Sequence, residues 1–427
     1  MRMMFQKSGV FILLVLWLSF TACSGTNTHP GITKEASRSE ATMPAQAENP
    51  DSMEKTYPSC SSAKKDSDVE QYGDGLFFVP VNNTWTLYYY DPGISEAIPV
   101  CAKPQCAHDN DNCDAVYGLG SFIDGYSIQV KDGRIYLWVN MSAGKTTLYS
   151  CRQDGSDRLN LGDFVTAENS SSGNVKRSFI IGDQMIMLAT VGTNKLGYTY
   201  ERLFRRGLTK DSKAELLYAG EDDENIEHQL GSMIARDGKI YFTDNRFDNG
   251  FDHFSSRLIQ YDCASGELKE ILSLENSLID YTVIDDAIVY SRIVYSPAYE
   301  FLPLRKLDLK TGEDTAFSSV GGNVSWDETY YYVQTQTGPD WETAEPSDIV
   351  VLDASGKEIK RIDYDKLMDR SAFDICFSVK SEEDFLIANG LRYGESPSYV
   401  WHICRKEDLL ADRLETHELV FYYGSGG

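Results

Sequence analysis

One hexameric pattern recurs along this chain from about residue 70 onward: an acidic or turn pair followed by a run of β-branched, aliphatic and aromatic residues. It reads Asp74-Gly75-Leu76-Phe77-Phe78-Val79, Asp132-Gly133-Arg134-Ile135-Tyr136-Leu137, Asp183-Gln184-Met185-Ile186-Met187-Leu188 and Asp237-Gly238-Lys239-Ile240-Tyr241-Phe242. More divergent copies begin at Asp285, Asp327 and Glu382, so successive copies stand 42 to 58 residues apart. A period of that length marks a chain built from supersecondary units, each too small to bury its own apolar face alone. Within each period a second strand ends in another tight-turn signal, as at Asp154-Gly155, Ser265-Gly266, Thr311-Gly312 and Ser355-Gly356. Glycine there provides the positive φ that a short hairpin demands. Four short antiparallel strands per period, with scant helical periodicity, predict an all-β propeller. Seven copies predict seven four-stranded blades, with six or eight as the alternatives.

Two segments carry a family likeness. Ile240-Tyr241-Phe242-Thr243-Asp244 and Leu148-Tyr149-Ser150-Cys151-Arg152-Gln153-Asp154-Gly155-Ser156 resemble the YWTD propeller repeats of low-density-lipoprotein-receptor-type proteins, and the related propeller domains of Firmicute surface lipoproteins. The resemblance covers nearly all of residues 70–427 and consists of fold-defining residues. It implies a propeller in an extracellular setting and implies no activity.

The first residues read as an export signal. Arg2 and Lys7 precede an unbroken apolar run from Val10 to Leu18, which is followed by Ser19-Phe20-Thr21-Ala22-Cys23. That run is too short to cross a bilayer, which takes ~20 apolar residues. Small residues directly before Cys23 resemble the lipobox of bacterial lipoproteins, so residues 1–22 are read as a removed signal and Cys23 as the lipidated mature N-terminus. Two acyl chains hold a protein on a membrane where one does so only marginally. Residues 23–69 contain one aromatic, Tyr57, and are otherwise rich in Ser, Thr, Ala, Glu, Pro and Lys. Such a segment buries too little apolar surface to offset its ordering entropy and is read as a disordered tether. The propeller then occupies residues 70–427, anchored to the cell membrane and facing outside.

Charge and motif content narrow the function. Asp plus Glu number 65 against 40 Lys plus Arg, and the net charge of −25 repels a phosphate backbone, which excludes nucleic acid as a partner. No phosphate-cradling glycine loop, Gly-x-Ser-x-Gly elbow or His-Glu-x-x-His occurs. The chain is therefore read as a binding module for a surface ligand, glycan or protein. The alternative is a surface enzyme acting on polysaccharide through carboxylates that converge from different blades.

In a blade with strands a to d, the a–b and c–d turns share one face, while the b–c and d–a connections share the other. The hexamers and glycine pairs trim the first face short, so the long connections gather opposite. Those connections carry Phe247, Phe251, His253, Phe254, Tyr299, Trp341 and Tyr393, the candidate binding face. Glu221-Asp222-Asp223-Glu224 is expected near Asp244, Asp248 and Asp252, as a solvated charge run or an acidic cation site.

Nine cysteines occur, and setting Cys23 aside leaves an even number, which permits disulfides in an exported chain. The dense cluster is Cys101-Ala102-Lys103-Pro104-Gln105-Cys106-Ala107-His108 with Cys113, in the connection after the first blade. Two of its cysteines suffice for a disulfide, and three with His108 fill a tetrahedral zinc shell; the spacing admits both. Either way it reads as a structural staple beside the loop-rich face, and no other cofactor is expected. Cys151 and Cys263, at strand ends, read as small buried hydrophobes.

Replacing Cys23 with Ala should release the protein from washed membranes into the medium. Cys23→Ala protein that stays membrane-bound would show residues 10–20 acting as an uncleaved anchor.

Overall fold

The computed structural model describes residues 69–80, 85–110, 112–118, 123–141, 145–166, 173–193, 199–220, 226–248, 253–295, 299–338, 344–373, 375–376, 380–382, 384–392, 398–413 and 415–422. The expected signal, residues 1–22, lies outside them, as do Cys23 and residues 24–68 of the expected tether, while Val69, the last residue of that expected tether, opens the first strand. Every hexamer forms the hairpin between a blade's first and second strands. These pairs are Val69–Tyr72 with Gly75–Phe78, Ile123–Lys131 with Arg134–Met141, Asn174–Ile181 with Gln184–Thr193 and Ile226–Arg236 with Lys239–Asp248. They continue as Leu278–Ile284 with Ala287–Val294, Asn323–Trp326 with Tyr331–Thr337, and Lys380–Ser381 with Phe385–Arg392. Third strands are Tyr88–Asp91, Lys145–Arg152, Thr199–Gly207, His253–Asp262, Arg305–Asp308, Glu345–Leu352 and Ser398–Arg405. Fourth strands are Glu96–Pro99, Leu159–Asp163, Glu215–Ala219, Leu268–Glu275, Asp314–Ala316, Glu358–Asp363 and Thr416–Tyr422. The result is seven antiparallel sheets, a seven-bladed β-propeller. In the last blade the helix Lys406–Leu410 stands in the c–d connection, and blade 3 has the seven residues 208–214 there.

Burial explains why the hexamers read as apolar runs and not as alternation. First strands of neighbouring blades pack together, Ile123–Lys131 on Asn174–Ile181 and Leu278–Ile284 on Asn323–Trp326. A blade's inner strands thus have both faces covered, and Leu278–Ile284 and Ala287–Val294 are buried along most of their length. Strands buried on both faces require near-continuous apolar sequence. The fourth strands Leu268–Glu275 and Asp314–Ala316 are largely exposed and correspondingly polar.

Turn chemistry acts in two ways. At the a–b turns, Asp132 and Gly133 (φ 50° and 72°) and Asp237 and Gly238 (φ 49° and 72°) are both left-handed, the geometry that matches the twist of paired strands. At the c–d turns, Gly155 and Gly356 have φ 84°, and a Cβ on either would lie 2.2 Å from a carbonyl oxygen of the preceding blade, that of Val100 or Phe317. Glycine is required there both for the turn and for the approach of one blade to the next.

The ring closes between blades 1 and 7 without exchanging a strand among the described residues. Val69, Leu76, Phe78 and Tyr90 pack against Phe385, Ile387, Trp401 and Ile403, with the Phe78 and Trp401 rings 4.7 Å apart. Gln71 donates Nε2–H to Asp384 Oδ2 at 2.5 Å and accepts the Asp384 backbone N–H at 2.9 Å. Closure therefore rests on side chains. Trp401→Ala should lower stability by about 3–5 kcal/mol in urea unfolding, whereas Leu268→Ala on an exposed outer strand should stay within about 0.5 kcal/mol. Equal effects would contradict the seam's role.

Candidate functional site

Several of the expected loop aromatics come together in one row of rings. Phe247 and Phe254 face each other across the b–c hairpin of blade 4, with centroids 6.4 Å apart. Phe254 meets Tyr295 edge-on at 5.3 Å, Tyr295 meets Tyr299 at 5.3 Å, and Tyr299 meets Phe301 at 5.8 Å. Tyr299 donates its hydroxyl to Gln336 Oε1 on blade 6 at 3.1 Å, so a row of rings from blades 4 and 5 is tied to a third blade. Each such pair contributes ~0.5–1.5 kcal/mol beyond its area burial. Phe247 is buried, Phe254, Tyr299 and Phe301 are half-buried, and Tyr295 is 37% exposed. Burial raises the hydroxyl pKa of Tyr295 and of Tyr299. Tyr295 is therefore the ring that meets solvent, with exposed His253 on the strand that carries Phe254. Phe251, Trp341 and Tyr393 lie outside the described residues.

The sequence reading picked residues within the long connections, and so passed over Tyr295 and Phe301 at their edges. Phe301 belongs to a two-residue strand, Glu300–Phe301, that pairs with Ala287–Val294. A pairing that short leaves no periodic signal.

The acidic patch is corrected at Asp244. This side chain is fully buried and engaged, accepting from Tyr218 Oη at 2.6 Å and from Arg257 Nη2, with His228 Nδ1 at 3.3 Å. Tyr218 comes from blade 3 and the other partners from blade 4. The Asp of the Thr243-Asp244 pair thus ties two blades together and is unavailable to a cation. Burial, the largest influence, pushes its carboxyl pKa up, but hydrogen bonds from His228, Tyr218 and Arg257 outweigh it and hold the carboxyl below its ordinary value. The side chains of residues 221–224, Asp248 and Asp252 lie outside the description.

The cysteine cluster occupies the connection between blades 1 and 2, as expected from its place in the chain. Its surroundings differ from the expected ones. Val100 and Cys101 lie against Gly155 in the c–d turn of blade 2, and Arg158 from that turn donates to the carbonyls of Cys113 at 3.1 Å and Val116 at 2.6 Å. The cluster thus packs on the c–d turn of the neighbouring blade. Cys101, Cys106 and Cys113 are unbridged in this structure. Their sulfurs and a His108 ring nitrogen lie within 4.8 Å of one another, an array that could hold a metal ion. Burial opposes ionisation of Cys101, yet backbone N–H groups of Lys103 and Asp114, with the Cys113 and Cys106 thiols, bring its pKa below the ordinary value. Burial pushes the Cys113 thiol up to about 12.

Cys151 is buried beside Tyr117, while Cys263 is only half-buried. In both, burial raises the thiol pKa and leaves an inert side chain.

No protein-family model and no curated protein matches the chain. Among solved structures it is similar to one from a structural and mechanistic analysis of two prolyl endopeptidases, at 8% identity and TM-score 0.55, over 85% of this chain and 50% of that one. It is also similar to the polysaccharide lyase Uly1, at 12% identity and TM-score 0.49, over 84% and 94% of the two chains. A further similarity is to an oligogalacturonate lyase in complex with manganese, at 14% identity and TM-score 0.48, over 77% and 87%. The chain spans about half the length of the endopeptidase, and the likeness to it shows the propeller fold alone.

Asp244→Asn should cost about 2 to 3 kcal/mol at pH 7, because it removes the charge that its buried partners are arranged around. A carboxyl whose folded pKa is depressed contributes stability above its unfolded pKa of ~3.9, and that contribution is lost as pH falls through the lower folded value. The gap between wild type and variant in urea unfolding should therefore narrow below pH ~4. A gap that is constant from pH 7 to pH 3 would show that the carboxylate charge is not what binds the two blades.

Proposed function

We propose that this chain is a lipid-anchored, extracytoplasmic propeller of the type found in Firmicute surface lipoproteins, and that it binds a ligand or protein on its loop-rich face without chemistry. The ring row from Phe247 to Phe301 carries the binding reading. Rigid aromatic groups held by a stiff scaffold supply large contact area at little entropic cost, which is why Tyr and Trp dominate binding hot spots. Here the scaffold holds four rings in place and leaves Tyr295 at the surface, apolar on its faces and polar at its tip. Anchoring through Cys23 and a tether would present that face away from the membrane.

The one carboxylate of the expected acidic group whose side chain is described, Asp244, is consumed by structure, which weighs against acid–base work at that position. In an array of soluble polysaccharides, cell-wall glycan fragments and peptides, the purified chain should retain at least one class of probe. Tyr295→Ala should weaken that binding about tenfold or more, and its two lost ring contacts should lower stability by about 1–3 kcal/mol in a chain that still folds. Steady release of new chain ends from an arrayed polysaccharide, abolished by a single carboxylate substitution on this face, would replace the binding reading with the polysaccharide-enzyme alternative.

A further inference from the structure

We propose that Cys101, Cys106, His108 and Cys113 hold one Zn²⁺ ion in a closed structural site that fastens the connection between blades 1 and 2 to both blades. Four ligand atoms within 4.8 Å of one another, with His108 Nδ1 3.2 Å from Cys113 Sγ, are close to the edges of a tetrahedron around zinc. Zinc bonds of ~2.3 Å to sulfur and ~2.0–2.1 Å to nitrogen set those edges at roughly 3.3–3.8 Å, so a contraction of under about 1.5 Å completes the shell.

The donor set names the metal. Three thiolates and one imidazole are borderline-soft ligands that suit zinc and are poor partners for magnesium, calcium or manganese. All four positions come from the protein, so no place remains for a bound water, and the site is structural and not catalytic.

The backbone is shaped around the sulfurs. Lys103 and Asp114 aim backbone N–H groups at Cys101 sulfur, and Ala115 aims one at Cys113 sulfur. Such donors stabilise thiolate charge and fix the ligands' orientation. Gln105 and His108 adopt left-handed backbone at φ 59° and 57°, conformations that non-glycine residues hold only where the surroundings impose them. The two sit just before Cys106 and at the imidazole ligand, where the chain must double back to bring all four side chains together. A disulfide would join two sulfurs and give the third sulfur and the imidazole no reason to converge.

Charge and anchoring agree. Three thiolates with Zn²⁺ leave one negative charge, and the Lys103 ammonium and Arg158 guanidinium stand beside the loop. Lys103 pairs with Asp114 at 2.9 Å and donates to the Asn112 carbonyl. Arg158 reaches the carbonyls of Cys113 and Val116 from blade 2 and lies over the Tyr117 ring at 4.3 Å. On the blade 1 side, Leu87 donates its N–H to the Ala115 carbonyl at 2.9 Å and Tyr117 donates to the Trp85 carbonyl at 3.2 Å. Binding takes up no electrons: three S–H protons leave for solvent as three sulfur–zinc bonds and one nitrogen–zinc bond form.

The test uses the full chain purified without added metal. Elemental analysis should give one zinc per chain, and exchange for Co²⁺ should produce thiolate-to-cobalt charge-transfer absorption. Chelator should lower the unfolding temperature and open residues 102–112 to protease, while reductant alone should do neither. Arg158→Gln, which leaves all four ligands in place, should weaken zinc binding by about 10–100-fold. Cys113→Ser should abolish it; should that variant fail to fold, His108→Ala at a half-buried position serves instead, with an altered cobalt spectrum expected. Zinc-free protein with two of these three thiols missing from a thiol titration would establish a disulfide and overturn the site. Zinc-free protein with all three thiols reactive would overturn it equally.

Discussion

A sheet that stands radially in a closed ring has a neighbour on each face, and the rest of this molecule follows from that. Its inner strands cannot alternate apolar and polar residues, because neither face meets water. Leu278–Ile284 and Ala287–Val294 are buried along most of their length, while the outermost Asp314–Ala316 is exposed. Stability is consequently distributed among the contacts between blades: separate clusters join blade 1 to blade 2, blade 3 to blade 4 and blade 7 to blade 1. The last of these bears an added demand, since no strand crosses it among the described residues and the Phe78–Trp401 contact must do what backbone pairing does inside a blade.

The architecture was legible because the physics repeats. A turn residue or acidic residue directly before an apolar run marked the a–b hairpin of all seven blades, including the weak copies at Asp327 and Glu382. Less legible was the second use of the same residues. Asp183 receives Lys131 of the preceding blade at 3.0 Å, and Asp285 receives Arg236 of blade 4 at 3.1 Å. Asp327 lies 3.4 Å from the buried Lys406 of blade 7, and Asp384 pairs with Gln71 of blade 1. A turn-forming Asp and an inter-blade partner look identical in sequence, because the partner lies far along the chain, 52 residues away for Asp183 and 313 for Asp384.

The same limit governs the sites. Phe247, Phe254 and Tyr299 could be named from their loops, but their order in one row is a product of how blades 4 to 6 stand side by side. Asp244 looked like part of an exposed acidic group because sequence shows charge and hides burial; its partners Tyr218, His228 and Arg257 are drawn from two blades. The cysteine cluster was visible for the opposite reason: its four residues lie within one short connection. What remained hidden was its environment, since Arg158 and Gly155 belong to the next blade.

The two faces of the ring differ in how much they can move. On the face of the short turns, Arg236 is buried and spans three blades, reaching Asp285 on blade 5 and Glu328 on blade 6, with Glu328 Oε1 at 2.9 Å. Asp285 is exposed and its pair is screened by solvent, so the hold of this clasp rests mainly on Glu328 and on the Val283 carbonyl, which accepts from Arg236 at 3.3 Å. Among the described residues most connections on that face are tight hairpins, the exceptions being residues 208–214 of blade 3 and the blade 7 segment that carries the helix Lys406–Leu410. The opposite face carries the b–c connections, and a ring that is locked at one end can vary them without loosening the blades beneath. Recognition proposed at the loop-rich end thus has a mechanical argument beside its aromatic one.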